Sequence, residues 1–341
     1  MEINKAEKKY DKRKKYILDK LTSLYYNLEE IPNDVKQNIS ICSLDRTDKT
    51  NFMFILSEVI NERVISFIFK DDKNSDDFYI GFFGLTESEM DQLDNSFQAD
   101  PLFLSASRGS QNFNLYLQAI CVLEIPPIQN INPKELYDKI LYPSDEDVNF
   151  EDITIFFGDF YFLKINISLV NTTKWENEIS RISSHVFIKS NILISLPFND
   201  QIIYSMTELT KELNHINYYH LLECIVSPTW GDSFFKIYKI IESLYPIYYY
   251  RNLYSDIKPE SKNIVYLSYL IEKNVDARPS EVTSIKNAFD FYDKNAKISQ
   301  EMFEIFKIND SSVSSLANQI YGLRNSYVHG RWIFDPKNLE I

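Results

Sequence analysis

The pattern of apolar and polar positions changes character once along the chain. Between residues 51 and 196 the apolar residues come in short runs rich in Phe, Ile and Tyr, bounded by polar stretches such as Asp71-Asp72-Lys73-Asn74-Ser75-Asp76-Asp77. Runs of this kind, with aromatic and β-branched enrichment and turn residues between them, predict strands over 51–59, 64–70, 78–84, 113–125, 153–170 and 185–196. Helical spacing precedes and interrupts them. Tyr16, Ile17, Leu21, Leu24, Tyr25 and Leu28 mark a helix over 5–30, and shorter helices are expected over 133–141 and around 175–182. This half reads as an α+β domain with a mainly antiparallel sheet.

After Pro197 the short apolar runs give way to helical periodicity over 206–224, 232–250, 262–273, 279–292, 299–306 and 311–329. Ser-Pro-Thr-Trp-Gly-Asp at 227–232 and Arg-Pro-Ser-Glu-Val at 278–282 supply turn and cap chemistry between helices. The pattern predicts two domains, an α+β domain over 1–200 and an all-α helical bundle over 201–341, with the boundary near 198–205.

Composition agrees with ordered globular domains: of 341 residues, 44% are apolar and 15% aromatic. No apolar run reaches the roughly 18 residues a membrane helix needs, and Met-Glu-Ile-Asn-Lys-Ala-Glu-Lys-Lys-Tyr lacks the apolar segment of a signal peptide. Cys42, Cys121 and Cys224 are too far apart for a metal knuckle and read as reduced thiols, so a cytoplasmic protein without membrane contact is expected. The net charge of −13 is unevenly spread. From residue 201 onward there are 15 Lys and Arg against 17 Asp and Glu, which leaves 21 against 32 before it. The acidic excess thus belongs to the N-terminal half, a poor surface for a phosphate backbone. The basic head Lys8, Lys9, Lys12, Arg13, Lys14 and Lys15 is interleaved with Glu7 and Asp11, which favours a solvated helix face over an RNA-binding arm.

Several chemistries are excluded by detail. Asp145, Asp147, Asn149 and Glu151 imitate the start of a calcium loop, but Phe150 stands where the turn needs Gly and Phe156 where a bidentate Glu belongs. None of the seven glycines forms a phosphate-cradling loop, which argues against an ATPase or a dinucleotide enzyme. His215 and His220 are five apart, off the spacing that lets two imidazoles on one helical face share a metal, and with His185 they read as structural. Neither a metal nor a cofactor is expected.

The one stretch that suggests a reaction is 311–331, Ser-Ser-Val-Ser-Ser-Leu-Ala-Asn-Gln-Ile-Tyr-Gly-Leu-Arg-Asn-Ser-Tyr-Val-His-Gly-Arg. At about 3.6 residues per turn, Val313, Leu316, Ile320, Leu323 and Tyr327 share an apolar stripe. On the neighbouring arc Tyr321, Arg324, Asn325 and His329 fall at the spacings of three and four that bring side chains together. Asp310, Ser311 or Ser312 can cap the start, and Gly330 suits the left-handed residue that closes a helix. His329 can move a proton near neutral pH, Arg324 can bind two phosphate oxygens at once, and Asn325 can orient the imidazole or hold an oxygen. Tyr321 and Tyr327 offer rings for an unpaired base, Tyr327 from a position on the apolar stripe that equally fits the core.

At these residues the chain resembles the HEPN family, small helical domains found in many prokaryotic toxins, defence proteins and RNA-processing nucleases. The family's signature is an Arg, usually followed by Asn, Asp or His, and then a His after about four to six residues. Arg324, Asn325 and His329 carry the likeness, and Leu-Arg-Asn-Ser-Tyr-Val-His-Gly is similar to the Apea-like branch. Phe234 to Leu244 looks like the long early helix of such domains. The resemblance implies a metal-independent endoribonuclease of toxin or antiviral-defence type, with RNA as substrate and Arg324, Asn325 and His329 as catalytic residues. It also implies a homodimer formed through the C-terminal domain, in which a second motif fills the acid or base role one imidazole leaves open. Where some members carry a Tyr two places after the His, a target for adenylylation, this chain has Arg331, an added cation suited to RNA. The α+β domain is then expected to gate the nuclease by binding a trigger or inhibitor. Two other readings stay open: a non-catalytic helical module binding a nucleotide or protein in a defence assembly, and a purely structural role in which Arg324 pairs with an acidic neighbour and His329 caps a helix.

Overall fold

A computed structural model describes residues 52–71, 77–97, 100–128, 150–211, 216–257, 280–292, 297–306 and 312–329, with the single residues 20, 265 and 308. The chain divides into two compact units, Met1–Ile192 with Thr207–Leu213 and Leu193–Met206 with Asn214–Ile341. The first is α+β and the second, among the described residues, is helical. Of the helices expected over 5–30, 133–141 and 262–273, only residues 20 and 265 are among the described residues, both helical. Of the acidic loop expected at 145–151 only Phe150 and Glu151 are, and they begin the helix Phe150–Phe157 instead of lying in a loop.

Five strands form the sheet of the first unit: β1 (Phe52–Ile60), β2 (Val64–Asp71), β3 (Phe78–Phe83), β4 (Phe103–Arg108) and β5 (Phe160–Ile165). Their order is β1-β2-β3-β5-β4 and every neighbouring pair is antiparallel. The β1–β2 turn uses Asn61 and Glu62 at positive φ, matching the strand twist. Gly84, at φ 88° after β3, is required as glycine, because a Cβ there would collide with the Arg63 carbonyl. One face buries Phe67, Phe69, Phe83 and Phe160 against Leu115, Tyr116, Ala119 and Ile120 of α2 (Phe113–Val122) and Phe156 of α3 (Phe150–Phe157). Burial of each such ring contributes about 1.5–3 kcal/mol. The other face meets α4 (Trp175–Ser190), where the Phe82 and Phe187 rings lie 5.4 Å apart.

Three stretches expected as strands are corrected. Residues 113–122 are helical: Asn112 accepts the Leu115 amide at 3.1 Å, and Leu115, Tyr116, Leu117, Ala119 and Ile120 are all buried. A helix buried on nearly every side has no polar face to give a period, so its apolar run resembles a core strand. Within 153–170, helix α3 ends at Gly158 (φ 74°), β5 follows, and a 3-10 turn occupies Ile167–Leu169. Residues 185–190 continue α4, which Asn191 closes in the left-handed conformation at φ 55°. Two elements carried no strong pattern, α1 (Glu87–Ser96) and β4. Thr86 and Glu89 form a capping box at the start of α1.

The single helix expected over 206–224 is two, α5 (Asp200–Lys211) and α6 (Tyr218–Val226), and Asn217 caps the second by accepting the Tyr219 amide at 3.1 Å. In the second unit follow α7 (Trp230–Ile257), α8 (Glu281–Tyr292), α9 (Lys297–Ile305) and α10 (Val313–His329). Their core consists of Tyr238 and Tyr245 from α7, Ile285 from α8 and Leu316, Ala317 and Ile320 from α10. No helix among the described residues is long and apolar enough to cross a membrane.

Candidate functional site

Helix α10 starts where a cap allows it. Ser312 Oγ accepts the Ser315 amide at 3.2 Å, and the Ser312 carbonyl accepts the Leu316 amide at 3.2 Å. Leu316 and Ile320 of the expected stripe are buried, with Ala317 beside them, while Val313, Leu323 and Tyr327 are half-buried. The helix runs unbroken to His329, so the four-residue relation between Asn325 and His329 holds along its backbone. The side chain of His329, and Gly330 and Arg331 altogether, lie outside the described residues.

Arg324 is where α7, α8 and α10 converge. Its guanidinium carbon stands 5.8 Å from the centre of the Tyr238 ring, within the range of a cation–π contact. Its Nη1 donates to Asn325 Oδ1 at 2.9 Å, bringing the two predicted neighbours together. Its Nη2 lies 3.6 Å from Glu281 Oε1, an ion-pair distance too long for a hydrogen bond. Arg324 Nε is shielded from solvent and has no hydrogen-bond partner among the described residues. The side chain as a whole keeps 17% of its surface exposed, so the cation is held at the rim of the core.

Glu281 is itself fixed. Ser280 caps α8 by accepting the Thr283 amide at 3.3 Å, which places Glu281 in the first turn, where the helix dipole favours an anion. Its Oε2 accepts the Tyr238 hydroxyl at 3.1 Å, and that hydroxyl accepts from Tyr245 at 3.3 Å. Burial pushes the Tyr238 phenol up to about 12, so it stays a neutral donor. Burial raises the Tyr245 phenol as well. Tyr238, Tyr245 and Glu281 carried no functional signal in the sequence. Only the caps at Thr229 and Ser280 were legible, and these fix where their helices begin.

The two aromatic residues expected to meet RNA have core contacts. Tyr321 is partly buried against the α7–α8–α10 core. The Tyr327 ring lies 6.0 Å from that of Phe234 and occupies the space above Gly231, where any Cβ would collide with it.

The remaining histidines and cysteines belong to the fold. His185 is buried, with Nδ1 2.8 Å from Thr210 Oγ1 and Nε2 2.9 Å from Asp100 Oδ2. Burial alone would raise the Asp100 carboxyl, but hydrogen bonds from His185, Lys189 and the Leu102 amide outweigh it and hold the group well below the usual range. His220 sits 3.4 Å from Glu223, and burial pushes the Cys224 thiol up. His215 is outside the described residues. Among the described residues no three His, Cys, Asp or Glu side chains gather as a metal site. In comparisons with known proteins, no family model, no curated protein and no solved structure matches this chain.

Proposed function

We propose that this protein is a cytoplasmic, metal-independent endoribonuclease of HEPN type, active as a homodimer through its helical domain and gated by its α+β domain. The observation that carries the reading is Arg324 joined to Asn325 at the rim of the core, on a helix that continues without a break to His329. In the proposed reaction the imidazole of one copy's His329 takes the proton of a ribose 2′-hydroxyl. The 2′-oxygen attacks the adjacent phosphorus, the 5′-oxygen leaves, and the imidazolium of the second copy's His329 protonates it. The products are a 2′,3′-cyclic phosphate and a 5′-hydroxyl. Arg324 stabilises the charge on the phosphoryl oxygens, and Asn325 orients Arg324 and the imidazole. Arg331, Tyr321 and Tyr327 contribute to RNA binding, and no divalent ion takes part. A role in phage defence or as a toxin follows from the family likeness, and gating from the concentration of negative charge before residue 201.

One observation favours the rival in which Arg324 serves a binding module or the fold alone: Glu281 beside it already supplies a counter-charge. Incubation of the full-length protein with mixed RNA in EDTA, alongside Arg324→Ala and His329→Ala, separates the two. Cleavage by the wild type that both substitutions abolish is the expected result. Intact RNA from all three proteins rejects the nuclease.

A further inference from the structure

Arginine bound to a phosphodiester is effective only when the plane of its guanidinium is fixed, because its two parallel donors must meet two oxygens together. Besides Asn325 on its own helix, two groups from other helices lie against the Arg324 guanidinium. The ring of Tyr238 on α7 lies under the guanidinium carbon at 5.8 Å, and the carboxylate of Glu281 on α8 stands 3.6 Å from Nη2. These two groups also hold each other, through the 3.1 Å bond from the Tyr238 hydroxyl to Glu281 Oε2. Tyr245, seven residues along α7, donates to the Tyr238 hydroxyl and completes a chain running Tyr245, Tyr238, Glu281, Arg324, Asn325. Glu281 Oε1 is beyond hydrogen-bond distance of Nη2, so it acts on the guanidinium by charge without occupying its donors. Among the described residues, Nη2 retains donors that no protein acceptor takes up.

We infer that Glu281 and Tyr238 are positioning residues for Arg324, setting the orientation in which its guanidinium meets the scissile phosphate without touching the RNA themselves. The inference rests on the nuclease reading of Arg324 and adds to it two residues from helices outside the motif. Glu281→Gln keeps the shape of the side chain and removes the charge. Tyr238→Phe keeps the ring under the guanidinium and removes the hydroxyl that holds Glu281 and accepts from Tyr245. Both substitutions therefore disturb orientation while leaving Arg324 and the apolar core in place.

The test uses full-length protein labelled with 15N-arginine, as wild type, Glu281→Gln, Tyr238→Phe and Arg324→Lys, the last identifying the Arg324 Nε–H signal by its loss. Cleavage of RNA in EDTA and the thermal midpoint are measured on the same samples. Both positioning variants are expected to lower kcat on the order of 10- to 100-fold, with KM within about twofold of wild type. The Arg324 signal is expected to broaden or move to the position of solvent-exposed arginines. Full kcat with an unmoved Arg324 signal overturns the inference, as does a fall in thermal midpoint alone, which is the mark of a structural role. If wild-type protein leaves RNA intact, the nuclease reading fails by itself and the Arg324 signal decides the rest. Its collapse in Glu281→Gln upholds the orienting role, and an unmoved signal removes it.

Discussion

At the scale of single residues, a planar guanidinium, whose donors lie parallel in a fixed fork, does what a lysine ammonium cannot. Arg324→Lys keeps the positive charge and loses the planar fork, so RNA cleavage is expected to fall on the order of a hundredfold with helical content unchanged by circular dichroism. Retention of most of the activity would mean that charge alone suffices. Tyr238 makes a prediction about pH. Its phenol is protonated in the fold up to about 12, above the ordinary value of 10, so the stability it contributes is complete below pH 10. That stability is lost as pH rises toward 12, and Tyr238→Phe is expected to lose less helical signal at 222 nm across the same interval. Arg324 and Asn325 were legible in the sequence because they are neighbours on one predicted helix. Glu281 and Tyr238 were not, because they are distant in sequence and come together only through helix packing, which no local spacing records.

At the scale of elements, the sequence marked β1, β2, β3 and the helices from α7 onward, where polar turns or caps bracket a clear period. It misread α2 and the second half of α4, and the reason is common to both. Helix α4 is buried from Glu178 through Ile188, so its residues lack the exposed polar stripe from which a helical period is read. Burial also gives α4 an unusual internal ion pair: Arg181 Nε and Nη2 donate to Glu178 Oε2 at 2.9 and 2.6 Å, and Nη1 donates to the Thr210 carbonyl at 2.7 Å. Both side chains are almost wholly shielded, at 2% and 0% exposure. Arg181→Met strands a carboxylate in the interior and is expected to cost about 3–5 kcal/mol in urea denaturation. A loss under about 1 kcal/mol would show that the pair is not what fixes α4. In the helical unit, Leu316→Ala on α10 is expected to cost about 2–5 kcal/mol, since it empties a site with no exposed surface.

At the scale of the whole molecule, the chain pairs an acidic α+β unit with a nearly neutral helical one. A nuclease that acts on its host's RNA must be restrained, and the charge split motivates the proposal that the first unit does so. Residues 193–341, shown helical by circular dichroism, are then expected to cleave RNA faster per molecule than the full chain, while equal rates would remove the gating. The change in pattern near Pro197 made the two-part organisation legible, although the last turn of α5 falls with the first unit, a long-range association that sequence spacing does not encode. The most direct measurement of the central claim uses one RNA oligonucleotide, intact or with a single 2′-deoxyribose at the cleaved position, incubated in EDTA and analysed by mass spectrometry. The account predicts 2′,3′-cyclic phosphate ends from the first and no cut at the substituted position of the second. Equal cleavage of both, or cleavage that appears only when a divalent ion is restored, would contradict it.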